Sequence, residues 1–429
     1  MDYQESLNYL ENLTQSGIKL GLENTARLLD ALGNPQWPVP TVHIAGTNGK
    51  GSTAAFVESI LRAAGHRVGL YTSPHLLDFR ERIQVNREQI TAAQMAAAAT
   101  RVRAAGDRLN LAATYFEVGT VMALLHFRES GCQWNVIETG LGGRLDSTNL
   151  CRARVAVLTA IAQDHEAFLG AGLSQIAGEK AAIIKGGEHV VAAAQEAPVL
   201  KVIRGRAQRT GSALWVAGED FSARRTGWDA AGQTFTFHGP QGSLEDLRIS
   251  LLGRFQVENA AVAAAVCQAL STPGESLPEQ AIREGLRNAA WPGRMEVVGC
   301  TPWVILDCAH NLQATRELAL AVREHFSYDR CRVVLGVMRD KNLGPMLRIM
   351  GGLADHLVLT RPPGPRGAEP SNLLKLLPNF NKLIEIIEEI PYALRTVRNQ
   401  AGPRDLILVT GSVFTVAEAK QGLDLQESH

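Results

Sequence analysis

One run of seven residues, Gly46-Thr47-Asn48-Gly49-Lys50-Gly51-Ser52, constrains this chain more than any other. It follows an apolar stretch over residues 39–45 and precedes a helical pattern over residues 52–64. A buried strand, a glycine turn and a helix start together let backbone N–H groups curl around phosphate oxygens, with the helix dipole favouring the anion. Lys50 adds a point charge suited to the β- and γ-phosphates. The general phosphate-loop pattern asks for a glycine five residues before the second glycine and a hydroxyl directly after the lysine. Ile44 and Gly51 stand at those places, so the pattern is met only in part. A tight turn without a ligand is the bland alternative; an ATP or GTP site accounts better for a lysine in this setting.

The displaced hydroxyl moves the search for metal ligands elsewhere. Mg²⁺ takes few protein ligands beside waters and phosphate oxygens. Ser73 follows an apolar stretch over residues 67–72, Glu138 sits in another over 135–139, and His165 follows a third over 155–161. All three are expected at the carboxyl edge of a parallel sheet, where open α/β sheets bind ligands. Taken singly, each reads as a cap or a satisfied polar group rather than a ligand; their common placement is what favours metal binding.

Short apolar stretches, with a further one at residues 189–193, alternate with helical patterns, which predicts βαβ units and a largely parallel sheet. Residues 213–250 alternate polar and apolar around Gly and Asp, the pattern of an antiparallel hairpin insert. Trp291-Pro292-Gly293-Arg294 breaks the rhythm and reads as a linker. Strand patterns then recur at 303–307, 332–337, 356–360 and 405–410, with a helix over 314–325, forming a second and smaller α/β domain. The expected division is 1–290, linker 291–297 and 298–429.

Composition excludes several function classes. The chain has 43 Lys+Arg against 43 Asp+Glu over 429 residues, which leaves no electrostatic footprint for nucleic acid or a basic membrane-surface protein. No apolar run reaches the roughly 18 residues that span a bilayer. Met1-Asp2-Tyr3-Gln4-Glu5 lacks a basic signal-peptide start. The six cysteines form no Cys-x-x-Cys pair, so buried reduced thiols in a cytoplasmic protein are expected.

Glu138-Thr139-Gly140-Leu141-Gly142-Gly143-Arg144-Leu145-Asp146-Ser147-Thr148-Asn149, together with the phosphate loop, resembles the folylpolyglutamate synthase/dihydrofolate synthase family of the Mur ligase superfamily. Further blocks agree in order. They are Ser73-Pro74-His75-Leu76 with Arg80-Glu81-Arg82-Ile83, Tyr115-Phe116-Glu117, Asp164-His165, and Glu179-Lys180-Ala181. Later come Asn259, Trp291-Pro292-Gly293-Arg294, Asp307-Cys308-Ala309-His310-Asn311, Asp340-Lys341-Asn342 and Thr410-Gly411-Ser412. Cys308 departs from the glycine usual in its block, and Asn342 from a common aspartate.

The resemblance implies an α/β fold: a P-loop mononucleotide-binding parallel-sheet domain followed by a smaller Rossmann-like α/β domain. It implies an ATP-dependent amide ligase, in which ATP and a pterin-bearing carboxylate form an acyl phosphate that glutamate's amine attacks. Asn48, Gly49, Lys50, Gly51 and Ser52 would hold the triphosphate, with Asn259, Arg294 and Asp307 as further ATP contacts and His310 close to the phosphates. Ser73, Glu138 and His165 would ligate Mg²⁺. Lys180 matches a lysine that the family carbamylates to hold a second Mg²⁺; without the resemblance it reads as a helix lysine paired with glutamate. Thr114, Phe116, Leu145, Asp146 and Ser147 fall where the pterin would lie. The implied substrates are ATP, L-glutamate and a folate, with dihydropteroate as well in a bifunctional enzyme; a monomer is implied.

Two rivals share parts of this pattern. A ligase acting on a UDP-muramyl peptide carries a separate UDP-binding domain of about 100 residues or more, whereas 45 residues precede Gly46. A P-loop nucleotide switch needs neither the His165 and Lys180 pair nor a second domain with Arg294 and Asp307.

Overall fold

Val42, Ile44 and Ala45 make the strand after the first proline-rich turn apolar on both faces, which suits the centre of a parallel sheet covered on both sides. In the computed structural model, which describes residues 1–14, 17, 19–271, 277–378 and 380–427, that strand is β1 (Thr41–Ala45), buried at all five positions. It lies inside an eight-stranded sheet with β2 (Val68–Tyr71), β3 (Ile83–Val85), β4 (Glu88–Gln89), β5 (Trp134–Glu138), β6 (Ala153–Leu158), β7 (His189–Ala192) and β8 (Ala213–Val216). The order is β4-β3-β2-β5-β1-β6-β7-β8. β1 pairs in parallel with β5 and β6, while the β2–β3 and β3–β4 pairings are antiparallel.

Helices cover both faces. α1 (Tyr3–Thr14), α2 (Glu23–Ala31), α3 (Lys50–Ala63), α4 (Ala92–Leu109) and α5 (Tyr115–Glu129) come before β5. α6 (Glu166–Leu169), α7 (Leu173–Ala181) and α8 (Ala197–Thr210) come between β6 and β8, and α9 (Arg254–Leu270) and α10 (Glu279–Asn288) follow. One core packs α1, α2, α4 and α5 around Tyr71, Phe79 and Phe127. A second packs α7 and α8 around Ile176, Ile183 and Val190.

Residues 213–216 correct the expected hairpin insert. They add to the parallel sheet as β8, beside β7, and only β9 (Ser222–Asp229), β10 (Gly232–Gly239) and β11 (Gly242–Ile249) form the antiparallel three-stranded sheet. β8 is an edge strand, its apolar run Ala213-Leu214-Trp215-Val216 exposed or half-buried at the first three positions, and only its parallel pairing with β7 separates it from the hairpin strands that follow.

The chain divides into two units. The first comprises residues 1–226, 234–249 and 257–289; the second comprises 227–233, 250–256 and 290–429. The second unit has a six-stranded sheet of β12 (Glu296–Cys300), β13 (Trp303–Leu306), β14 (Cys331–Leu335), β15 (His356–Leu359), β16 (Leu383–Ile386) and β17 (Leu406–Thr410), in the order β12-β13-β17-β14-β15-β16. It is parallel apart from β12 on β13. β12 and β16 are edge strands that the apolar pattern of the sequence did not reveal. Its helices are α11 (Leu312–His325), α12 (Leu343–Leu353), α13 (Pro370–Lys375), α14 (Ile390–Gln400) and α15 (Val413–Glu427).

Residues 291–294 are fastened within the second unit rather than slack. The Cys308 N–H donates to the Gly293 carbonyl at 3.0 Å, and the Gly293 N–H donates to Glu296 at 2.8 Å. Five cysteines are buried as expected; Cys300 is exposed, and all six are free thiols. No helix among the described residues is long and apolar enough to cross a membrane.

Candidate functional site

The phosphate loop leaves β1 at Ala45 and enters α3 at Lys50. The Thr47 and Asn48 N–H groups both donate to the Ala160 carbonyl, and Thr47 Oγ1 donates to the Ala162 carbonyl at 3.1 Å, so the loop is laid along the chain that follows β6. Two glycines are needed for this shape. A Cβ on Gly46 would sit 1.9 Å from Thr159 Oγ1. Gly49 has φ +87°, and its Cβ would sit 2.3 Å from Asn259 Oδ1. That close approach places Asn259, on α9, beside the loop. The first turn of α3 has N–H groups that no earlier carbonyl in the helix can accept, and its dipole end is positive.

Lys50 Nζ donates to the Thr47 carbonyl at 3.3 Å and lies 3.7 Å from Glu138 Oε1. Glu138 ends β5, almost fully buried, and its other oxygen accepts the Ser73 N–H at 3.1 Å. The ends of β2 and β5 thus bring Ser73 and Glu138 together beside the lysine. His165 lies beyond β6 in the left-handed region at φ +53°, with Nε2 3.9 Å from Asp164.

Lys180, in the last turn of α7, points its Nζ at the Gly46 carbonyl, 2.8 Å away. It is 5% exposed. Burial, with the Lys50 charge adding to it, pulls its pKa down to about 7 from the usual 10.5. The expected pairing of a helix lysine with glutamate is made instead by Arg144 and Glu179, at 2.9 Å.

The Gly140–Asn149 loop is organised from inside. Asp146 accepts the Gly140 and Leu141 N–H groups, both at 2.9 Å, and the Thr148 N–H at 3.0 Å. Burial raises its pKa, against the pull of these bonds. Thr148 Oγ1 donates to Asp146 at 2.5 Å and lies 2.8 Å from His43 Nε2. With its one proton spent on the carboxylate, the Thr148 oxygen can only accept from His43, which fixes the His43 proton on Nε2. Burial, with Lys185 nearby, holds His43 neutral down to about 3. Ser147 Oγ accepts from Thr25 of α2 at 3.0 Å. Thr114 caps α5 in a reciprocal box with Glu117, and the Phe116 ring lies against Gly140. Leu145 is half-buried on the same loop. Sequence reasoning missed His43 and Thr148; a histidine inside an apolar strand was the one available sign.

In the second unit, Asp307 directly follows β13 and accepts the Met295 and Ala309 N–H groups at 2.9 and 2.8 Å. Burial raises its pKa, opposed by the Arg294 charge. His310 Nδ1 donates to the Cys308 carbonyl at 2.9 Å, since a carbonyl can only accept. Arg294 is held by its own neighbour, Nη1 to the Gly293 carbonyl at 3.0 Å. Arg294, Asp307 and His310 thus gather at one end of this unit.

Comparison with known proteins adds an independent line. Residues 44–267 match the Mur ligase middle domain, and residues 293–413 match the Mur ligase glutamate ligase domain. The chain is 33% identical over 427 residues to a dihydrofolate synthase/folylpolyglutamate synthase of Bacillus subtilis, covering 98% of this chain and 99% of that protein. A protein of the same name from Escherichia coli is 36% identical, with 98% and 96% covered. The solved structure of E. coli FolC in complex with DHPP and ADP superposes with a TM-score of 0.91 at 34% identity, covering 100% of this chain and 99% of that one.

Proposed function

The chain belongs to the Mur ligase family, in its dihydrofolate synthase/folylpolyglutamate synthase branch, and we propose that Lys50, Ser73, Glu138 and Lys180 form the centre where it joins glutamate to a folate. The activity is that of an ATP-dependent ligase. The observation that carries the residue assignment is the convergence of Lys50, Glu138 and Lys180 on one phosphate loop.

A folate carboxylate attacking the γ-phosphate brings two anions together, and the barrier falls where fixed positive charge meets the developing charge. Lys50 supplies that charge, and the α3 N-terminus with Asn48, Gly49, Gly51 and Ser52 holds the phosphates. Asn259, Arg294, Asp307 and His310 are proposed as further ATP contacts. The acyl phosphate so formed is open to the glutamate amine; the C–N bond forms as phosphate leaves.

Ser73, Glu138 and His165 fit a divalent cation, because a buried carboxylate and a hydroxyl with no hydrogen-bond partner among the described residues stand together beside the phosphate-binding lysine. Mg²⁺ bound there would neutralise phosphate charge. Lys180, with a pKa of about 7, is about half neutral at that pH. A neutral amine can add CO2, losing one proton to give a carbamate, an anionic oxygen donor for a second Mg²⁺. Asp146 and the Thr114–Phe116 turn would shape the pterin subsite, with Leu145 and Ser147. The functional division proposed is 1–290 and 298–429 around 291–297, in a monomeric cytoplasmic enzyme that binds neither nucleic acid nor membrane.

Phosphate release tests the reading. It is expected to require ATP, glutamate and a pterin substrate together; turnover with ATP alone would point to a nucleotide switch. Dihydropteroate is proposed as a second acceptor, and absence of dihydrofolate from an incubation with it, ATP and glutamate would refute that part.

A further inference from the structure

The segment after β2 carries two arginines with opposite fates. Arg80 pairs with Asp78, at 2.8 Å. Asp78 also accepts from the Tyr3 hydroxyl. The only other acid on the segment, Glu81, accepts the Leu76, Leu77 and Asp78 N–H groups at 2.7 to 2.9 Å. Both carboxylates are spent, and neither serves Arg82.

Arg82 is only 9% exposed. Its Nε donates to His75 Nδ1 at 2.8 Å, and the guanidinium carbon lies 5.1 Å from the centre of the Tyr115 ring and 5.8 Å from that of Phe79. Its two terminal nitrogens have no hydrogen-bond partner among the described residues. Because Arg82 Nε donates to it, His75 Nδ1 holds a lone pair rather than a proton, so the ring facing the guanidinium is neutral. A guanidinium fixed by a neutral imidazole and two rings, with its outer fork unused, is preorganised for a planar anion.

Its neighbours say which anion. Tyr115 and Phe116 share the first turn of α5, and the Tyr71 ring lies 6.1 Å from that of Phe116. On its other side, His75 belongs to the same short loop as Ser73, whose N–H reaches Glu138 beside Lys50. Arg82 is therefore joined to both the proposed pterin wall and the proposed reaction centre.

We propose that Arg82 receives the glutamyl α-carboxylate of a folate, the carboxylate that does not react. This rests on the ligase reading above. A folate presents two carboxylates: the γ-carboxylate goes to the phosphate, and the α-carboxylate needs a partner a few bonds away. Dihydropteroate has no glutamyl residue, so Arg82 separates the first glutamate addition from the later ones.

Binding of three probes to the full chain tests this by titration calorimetry: pteroate, pteroylglutamate, and the α-amide of pteroylglutamate. Arg82→Gln is expected to weaken pteroylglutamate about 10- to 100-fold, the range of a hydrogen bond between charged groups. It should leave pteroate and the α-amide within about twofold, and Arg82→Lys should recover part of the loss. Equal weakening of all three probes, or none, would overturn the assignment. Binding of no probe by the unmutated protein would instead remove the folate reading on which the assignment stands.

Discussion

Lys180 Nζ donates to the carbonyl oxygen of Gly46, 134 positions earlier, and so ties the end of α7 to the first residue of the phosphate loop. The bond occupies one donor of a nearly buried ammonium, and the environment pulls that ammonium down to about 7.

Lys180→Met is expected to lower kcat by about 100-fold or more, the scale of losing one fixed electrostatic contact at a reacting phosphate. Stability should behave differently. The folded pKa lies below the unfolded one, so the folded chain resists protonation. The cost is full below pH 7 and disappears as pH rises toward 10.5. The melting temperature of the methionine variant should therefore exceed that of the unmutated, uncarbamylated protein at pH 6 and converge with it by pH 10. A ¹³C signal from labelled bicarbonate on the unmutated protein, absent from the variant, would report the carbamate.

His43 gives the complementary acid dependence. Its folded pKa of about 3 lies below the ordinary 6.5, so the unfolded chain takes the proton first as pH falls through 6.5. At pH 5 this amounts to about 2 kcal/mol of lost stability relative to pH 7. Urea unfolding at the two pH values should show that loss, and His43→Gln should reduce it.

Gly49→Ala combines two separate penalties: φ +87°, and a Cβ 2.3 Å from Asn259 Oδ1. We expect about 1–3 kcal/mol of destabilisation and weakened nucleotide binding. Adding Asn259→Ala removes the clash but not the backbone strain, so the double variant should be less unstable than the sum of the singles. Strict additivity in thermal melts would refute the contact.

In the second unit, Arg332 Nε lies 3.0 Å from Asp405, both nearly buried. Arg332→Met leaves a buried carboxylate without its cation, a loss of about 3–5 kcal/mol. The variant is expected to melt early while keeping its activity well below the melting point.

Their order in the sheets was not legible, but the inner strands β1, β5, β6, β14 and β17 were legible as elements because they are largely buried and mostly apolar. Edge strands were not. β12 and β16 carry half-exposed residues, and β8 reads as part of a hairpin because its short apolar run leads into the alternating strands that follow it. Of the site, glycines and the lysine announced the phosphate loop through their spacing. Asp146 was singled out only by resemblance, and the His43–Thr148 chain behind it went unseen, since its members lie 105 residues apart.

By itself the sequence determined that strand, glycine turn, lysine and helix follow one another, because each depends on local backbone freedom and on apolar periodicity. It also determined which acids and bases were available. Only the tertiary structure decided which of them act together. Burial sets Lys180 near neutrality and keeps His43 uncharged, and packing spends Asp78 on Arg80 while leaving the fork of Arg82 open. Desolvation and pairing depend on what surrounds a group in space, and no spacing along the chain encodes that surrounding directly.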